Sequence, residues 1–463
     1  MPRMILVSAA LTVLLCGCTD RSVRIGQQAA AEAATVPVVR RHSPSTSEWR
    51  ARTDVAAEIE RLASEDPWER AQAAARLGDL VSERPENVRG NLLSALPHLL
   101  ALLDDDTPLL GCVHPLRSAI LDTSPGREAM LALRSLSRHD LDVRPVLDAL
   151  QAAETPFHRR NLAEVLGYIA DEQALQPLIG LLDNADAEVR SSAAGALAAL
   201  ESASTIEPLL EAHVEGRLDD LTAVDALGRF VAADERVRDL VIGVSRAGED
   251  DARKAAVTAI NRFGLIAMDS SNPQAEVILR AVLDALRADP SEEVRAAAAP
   301  YTRPHLRRDL DQEMIAAMLA ALQSDPSPIV REAVLERIAA GKRVASDDAV
   351  LLALQDEDAS VREKAFSLAH EVLGFTELHA AGLAGLSDPD ACARCAAARL
   401  LGHASGREVR EALLEAIRTD PDEDVRVTAC YSLDRVVREF SDYRIQSECA
   451  RGVDGLILDE TTP

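Results

Sequence analysis

Alanine, leucine and valine recur at three- and four-residue spacing along most of the chain, the pattern of helices with one buried face. The starts of these helices repeat. Asp186-Ala-Glu-Val-Arg190 leads into SSAAGALAAL, Asp358-Ala-Ser-Val-Arg362 into EKAFSLAHEVLG, and Asp422-Glu-Asp-Val-Arg426 into VTACYSLDRVV. Ser291 to Arg295 and Ser327 to Arg331 follow the same plan, and Asp66 to Arg70, Glu249 to Arg253 and Asp390 to Arg394 follow it in weaker form. With the arginine as a ruler, Arg160, Arg190, Thr222 in the arginine place and Arg253, and further on Arg331, Arg362, Arg394 and Arg426, fall 30 to 32 residues apart.

Each unit makes local sense. Asp or Ser is a good N-cap, acidic residues suit the first turn of a helix dipole, and a second apolar stretch such as Leu175 to Leu182 completes a helix pair. Pro177 is tolerable only near the start of that second stretch. The arginine is the odd member, because a cation one turn from a helix N-terminus faces the dipole unfavourably. It is therefore expected to serve a neighbour, reaching the acidic cap or first-turn carboxylate of an adjacent repeat. The ladder so predicted comprises Arg70, Asp186, Arg190, Arg253, Arg295, Arg331, Asp358, Arg362, Asp390, Arg394, Asp422 and Arg426.

The pattern Asp-x-x-Val-Arg followed by Ala-x-x-Ala-Leu resembles the HEAT-like repeats first named in the phycobilisome lyase family. Eleven candidate helix starts, marked by Arg70, Arg127, Arg160, Arg190, Thr222, Arg253, Arg295, Arg331, Arg362, Arg394 and Arg426, carry the resemblance over about residues 50–450. It implies an all-α, right-handed α-α superhelix of about eleven antiparallel helix pairs, a HEAT-like solenoid whose second helices line the concave side. Nearest-neighbour burial alone requires only a quasi-linear stack. The array is expected over residues 48–450, with a C-terminal tail at 451–463. Three of its intervals are long. Residues 104–126 and 264–275 are rich in turn formers, and Pro300 and Pro304 must shorten or kink the helix that follows Ser291.

Composition narrows the function. Aromatic residues are only 3%, so the core is small and aliphatic, and a β-sandwich or barrel is disfavoured. A formal charge of −26 repels polyphosphate and argues against nucleic acid as a partner.

The first residues, MPRMILVSAALTVLLCGCTD, have a basic start, an apolar run too short to span a bilayer and small residues before cysteine, which is a signal peptide pattern over residues 1–17. Leu15-Cys16-Gly17-Cys18 resembles the lipobox of bacterial lipoproteins, which implies lipidation of Cys18 and a mature chain held at the cell envelope through a lipid anchor only. Residues 18–47 are poor in leucine and read as a flexible tether.

Chemistry-bearing residues are few. Cys392-Ala-Arg-Cys395 is the only C-x-x-C, and a position in the first turn after Asp390 would lower the Cys392 thiol pKa, so both cysteines are redox candidates. Deoxyhypusine hydroxylase, another protein with HEAT-like repeats, holds two irons with several His-Glu dipeptides, whereas this chain has only His370-Glu371. No metal, cofactor or catalytic residue is expected. The favoured expectation is an interaction scaffold that binds a protein or peptide, by charge a basic one, on its acidic surface. The alternatives are a thiol- or metal-dependent enzyme, centred on Cys392, Cys395 or the His114 insert, and a lyase-like accessory protein acting on a cofactor-bearing partner.

Overall fold

The computed structural model describes residues 39–40, 45–83, 92–110, 113–114, 122–139, 141–264, 274–300, 308–341 and 346–438. The proposed signal peptide, Cys18, most of the proposed tether and the proposed tail lie outside these residues. The chain divides into two compact units, residues 1–226 and 227–463.

Unit 1 opens with α1 (Thr46–Ala51) and continues as five helix pairs among the described residues. These are α2 (Val55–Arg61) with α3 (Pro67–Glu83), α4 (Leu96–Leu102) with α5 (Pro125–Ser137), α6 (Arg144–Ala152) with α7 (Pro156–Ile169), α8 (Leu175–Leu181) with α9 (Ala187–Ala199), and α10 (Ile206–Val214) with α11 (Asp220–Leu227) at the unit boundary. Three two-residue strands accompany them. β1 (Val39–Arg40) runs parallel to β2 (Leu109–Leu110), which is antiparallel to β3 (Asp122–Thr123), with Leu109 opposite both Val39 and Thr123.

Unit 2 holds six pairs among its described residues. They are α12 (Glu235–Ala247) with α13 (Asp250–Ala259), α14 (Gln274–Ala288) with α15 (Glu292–Ala297), α16 (Arg308–Ser324) with α17 (Pro328–Ala340), α18 (Ser346–Ala353) with α19 (Ala359–Val372), α20 (Phe375–Gly385) with α21 (Ala391–Leu401), and α22 (Arg407–Thr419) with α23 (Glu423–Arg438). The short α15 stops ahead of Pro300, as expected of a residue that cannot donate to a helix.

The second helix of most pairs starts on a side-chain cap. Thr155 accepts the His158 N–H, Asp186 those of Glu188 and Val189, Asp358 that of Ser360, and Asp422 those of Asp424 and Val425. These caps correct the arginine ruler at three places. The repeating arginine lies four residues past its cap in Arg70, Arg190, Arg331, Arg362, Arg394 and Arg426. Arg160 is one residue beyond that position, which Arg159 occupies, while Arg127 and Thr222 are one residue short of it. Pro177 is the third residue of α8, which follows a 3-10 turn at Glu172–Ala174, so its missing N–H costs no helical bond.

Within each unit the second helices stack on one another through small side chains. In unit 1 a Cβ at Gly167 of α7 would lie 2.9 Å from the Ala196 Cα of α9, and one at Gly78 of α3 would lie 3.1 Å from the Ala132 Cα of α5. The contact at Gly167 is backbone, so the neighbour cannot yield by a rotamer change. Gly167→Ala is expected to separate the two helices and cost about 1–3 kcal/mol, read by chemical denaturation, even though alanine is the better helix former. A neutral or stabilising outcome would show that the stack is slack there.

Candidate functional site

A stripe of side chains on the second helices of unit 2 stays in solvent. It lies two, five, nine and thirteen residues past each cap, a spacing that keeps one helix face. On α21 it comprises Cys392, Cys395 and Arg399, with His403 just past the helix end, and on α23 Asp424, Val427, Tyr431 and Arg435, all exposed or half-buried. α17 contributes Ile329, Glu332 and Glu336, and α19 contributes Ser360, Glu363, Ser367 and Glu371. Two of these side chains are large apolar groups left uncovered, Tyr431 at 75% and Ile329 at 51% exposure. Neighbouring helices are tied along and beside the stripe: the Ser360 hydroxyl donates to Glu332, Lys364 pairs with Glu336, and the His370 ring lies tilted against His403 with centroids 4.6 Å apart.

Behind the stripe runs the arginine ladder. Arg253 donates through Nε and Nη2 to Asp289, Arg295 to Asp325, Arg331 to Asp356, Arg362 to Asp388 and Arg394 to Asp420, every bond between 2.7 and 3.1 Å. In Arg295, Arg331, Arg362 and Arg394 the Nη1 turns back to the carbonyl six residues earlier, and Arg426 makes the same bond to Asp420 O. Each aspartate also accepts the N–H of the residue two places on, so one carboxylate joins two repeats and shapes the turn before a helix. The acceptor is thus not the cap. Asp358, Asp390 and Asp422 cap their own helices, and the rung ends two residues ahead of them. Burial alone would push the carboxyls of Asp289, Asp388 and Asp420 up, but the arginine hydrogen bonds, the backbone N–H and the arginine charges together outweigh it and hold them below the usual carboxylate range.

Unit 1 varies the theme. Arg70 pairs with Asp105, and its Nη1 turns back to Ser64 O. Arg190 turns back to Asn184 O, and forward its Nε reaches the backbone carbonyl of Arg217 rather than a carboxylate. Arg160 pairs with Glu188, a first-turn carboxylate of the following repeat.

The two redox candidates are free thiols, with Cys392 exposed and Cys395 half-buried. The dipole does not prevail at Cys392: the Asp390 charge first, then Glu363, burial, Asp422 and Asp424 push its thiol up. Burial is the main cause for Cys395, with acidic neighbours adding to it against the Thr428 hydrogen bond. Both should react with a disulfide reagent at neutral pH more slowly than free cysteine, because the thiolate is the nucleophile. Faster reaction would contradict this electrostatic setting. Among the described residues no group of three or more His, Cys, Asp or Glu side chains is placed to hold a metal ion.

The first repeat differs at the same stripe. On α3, whose start is set by Asp66, the four positions are Trp68, Ala71, Ala75 and Asp79. Trp68, Ala71 and Ala75 are buried in one cluster with Trp49 of α1 and with Leu109 and Val113 of the first insert. The Trp49 Nε1–H donates to Asp79 at 2.8 Å, and His114 Nε2 lies 2.6 Å from the same carboxylate oxygen. Arg76, fully buried, binds the Arg52 carbonyl and both Glu83 oxygens, and its guanidinium lies 5.9 Å from the Trp49 ring centroid. The insert that carries His114 therefore helps cover the first repeat. Sequence reading found neither the stripe nor this cluster, although cap-relative spacing marks the first and the pair of tryptophans marks the second.

A family profile described as HEAT repeats matches residues 143–221 and 381–441. Importin β, crystallised in an ammonium sulfate condition, superposes with a TM-score of 0.51 at 14% identity over 96% of this chain and 68% of its own. The fold is a HEAT-repeat solenoid. Kap95 in its complex with Nup1 gives the same TM-score and identity over 88% of this chain and 60% of its own. No curated protein sequence matches the chain.

Proposed function

We propose that this HEAT-repeat chain is a lipid-anchored scaffold of the bacterial cell envelope that docks a protein or peptide on the exposed stripe of its second helices. The observation that carries the reading is the stripe itself: side chains of mixed chemistry, repeated from helix to helix and left in solvent, are how repeat arrays read an extended partner. Acidic residues outnumber basic ones on the stripes of α17 and α19, which suits a partner with basic segments there. The Kap95 array, seen with Nup1, is a HEAT solenoid holding another protein. The lipobox-like Leu15 to Cys18 supports export and anchoring at Cys18, residues 18–47 would tether the body, and the Asp-x-x-Val-Arg spacing supports repeats of the phycobilisome lyase type.

Two measurements on the full-length protein test this. Cys18→Ser should move the protein from the membrane to the soluble fraction, and the wild-type chain should retain a defined polypeptide that rising salt releases. A Cys18→Ser protein that stays in the membrane fraction would remove the anchor, and a chain that retains no polypeptide would remove the scaffold.

A further inference from the structure

The stripe of α7 is unlike those of unit 2. Two, five, nine and thirteen residues past Thr155 it reads Phe157, Arg160, Glu164 and Tyr168, all half-buried. Two exposed arginines of α5, Arg127 and Arg134, stand over it. The Arg134 guanidinium lies 5.2 Å from the Tyr168 ring centroid, and that of Arg160 lies 4.9 Å from the Phe157 ring. Arg160 is already paired with Glu188. Among the described residues neither Arg127 nor Arg134 makes an ion pair, and each is in electrostatic reach of Tyr168. In a chain of net charge −26, two exposed arginines two turns apart on α5 thus face α7, Arg134 over the Tyr168 ring and Arg127 within electrostatic reach of Glu164.

The adjoining stripe, on α3, shows what such a surface accepts. It is already occupied by a segment of this chain, and the occupant enters by an aromatic side chain, Trp49, which lies against the guanidinium groups of Arg52 and Arg76. The α5 and α7 surface continues the arginine and aromatic chemistry of that occupied face, with both arginines exposed.

We infer that the α5–α7 face binds an acidic peptide segment bearing an aromatic residue, its carboxylates taken by Arg127 and Arg134 and its ring by the Tyr168 face beside Arg134. An arginine fork matches a carboxylate in two bonds, and the surrounding acidic surface repels such a segment elsewhere, which fixes its register. The inference rests on the scaffold reading and adds to it a second docking place of opposite charge preference.

The test uses the full chain and three probes: a labelled peptide of alternating glutamate and phenylalanine, its glutamine-for-glutamate counterpart, and vesicles of phosphatidylglycerol. The glutamate peptide should bind, and Arg134→Ala or Arg127→Ala should each weaken it about tenfold, the scale of a lost charge-assisted pair. The glutamine peptide should be weaker by a similar factor, and Arg144→Ala, an exposed arginine on α6, should leave binding unchanged. Both test arginines are exposed, so unchanged melting curves will separate lost binding from lost folding. Equal binding of the two peptides, binding indifferent to both arginine variants, binding to the vesicles alone, or binding to none of the probes would each overturn the inference. If those results occurred while the wild-type chain still retained its salt-sensitive polypeptide, the scaffold would stand without this site. If the peptide bound as expected but no polypeptide were retained, the arginine site would stand and the scaffold reading would fall.

Discussion

Replacing Arg331 by alanine should destabilise the protein by about 3–5 kcal/mol, the cost of leaving a buried charge without its partner. Arg331 is 5% and Asp356 9% exposed at the side chain, so neither can turn to water once the other is gone. The loss is threefold: two bonds to Asp356, the bond back to Asp325 O, and the order of the turn that Asp356 builds with the Asp358 N–H. Because repeats in an array depend chiefly on their neighbours, hydrogen exchange should quicken first in α17 and α19. The double variant Arg331→Met, Asp356→Leu should recover part of the stability, since a packed apolar pair removes the unpaired charge. Arg407→Ala, which breaks an exposed pair with Glu411, should leave the denaturation curve where it was. The ladder also predicts acid sensitivity. Asp289, Asp388 and Asp420 have folded pKa values below the ordinary one, so their contribution is present above about pH 4 and is lost as pH falls through the folded values. Stability that is flat from neutral pH down to strong acid would contradict this.

The second large effect belongs to Trp49. Its side chain is 1% exposed, packs on the α3 stripe, and gives Asp79 one of the hydrogen bonds that hold that carboxyl below its usual range against its own burial. Trp49→Ala should cost about 3–5 kcal/mol and loosen amide protection in α1 and α3 before the rest of unit 1. Asp79→Asn should cost less, because an amide can still accept from the indole. An alanine variant as stable as wild type would mean that α1 does not seal the first repeat.

Much of the fold can be read in the sequence because each repeat obeys local rules: a capping residue, an acidic first turn and small apolar residues at helical spacing. The arginine could be recognised as serving a neighbour because the dipole gives it no local reason to be there. Its acceptor was harder to see. Asp289, Asp325, Asp356, Asp388 and Asp420 each stand six residues before the next arginine, and that regularity is in the sequence. At Asp358, Asp390 and Asp422 the cap is equally acidic and nearer to that arginine, so only the geometry shows that a cap carboxylate is spent on its own helix. The offset of Arg127, Arg160 and Thr222 has the same origin, since a ruler based on residue type cannot see which N–H a cap has taken. The cluster of Trp49, Asp79 and His114 joins residues far apart in the chain, and no periodicity links an insert to the helix that it covers.

Docking on the second-helix stripe can be tested in one experiment. A photo-reactive amino acid placed at Arg399 or Tyr431 of the full-length protein in its native cells should capture one defined polypeptide, and the same group at Arg418 on first helix α22 should not. Equal capture from both faces, or none from either, would contradict docking on the stripe.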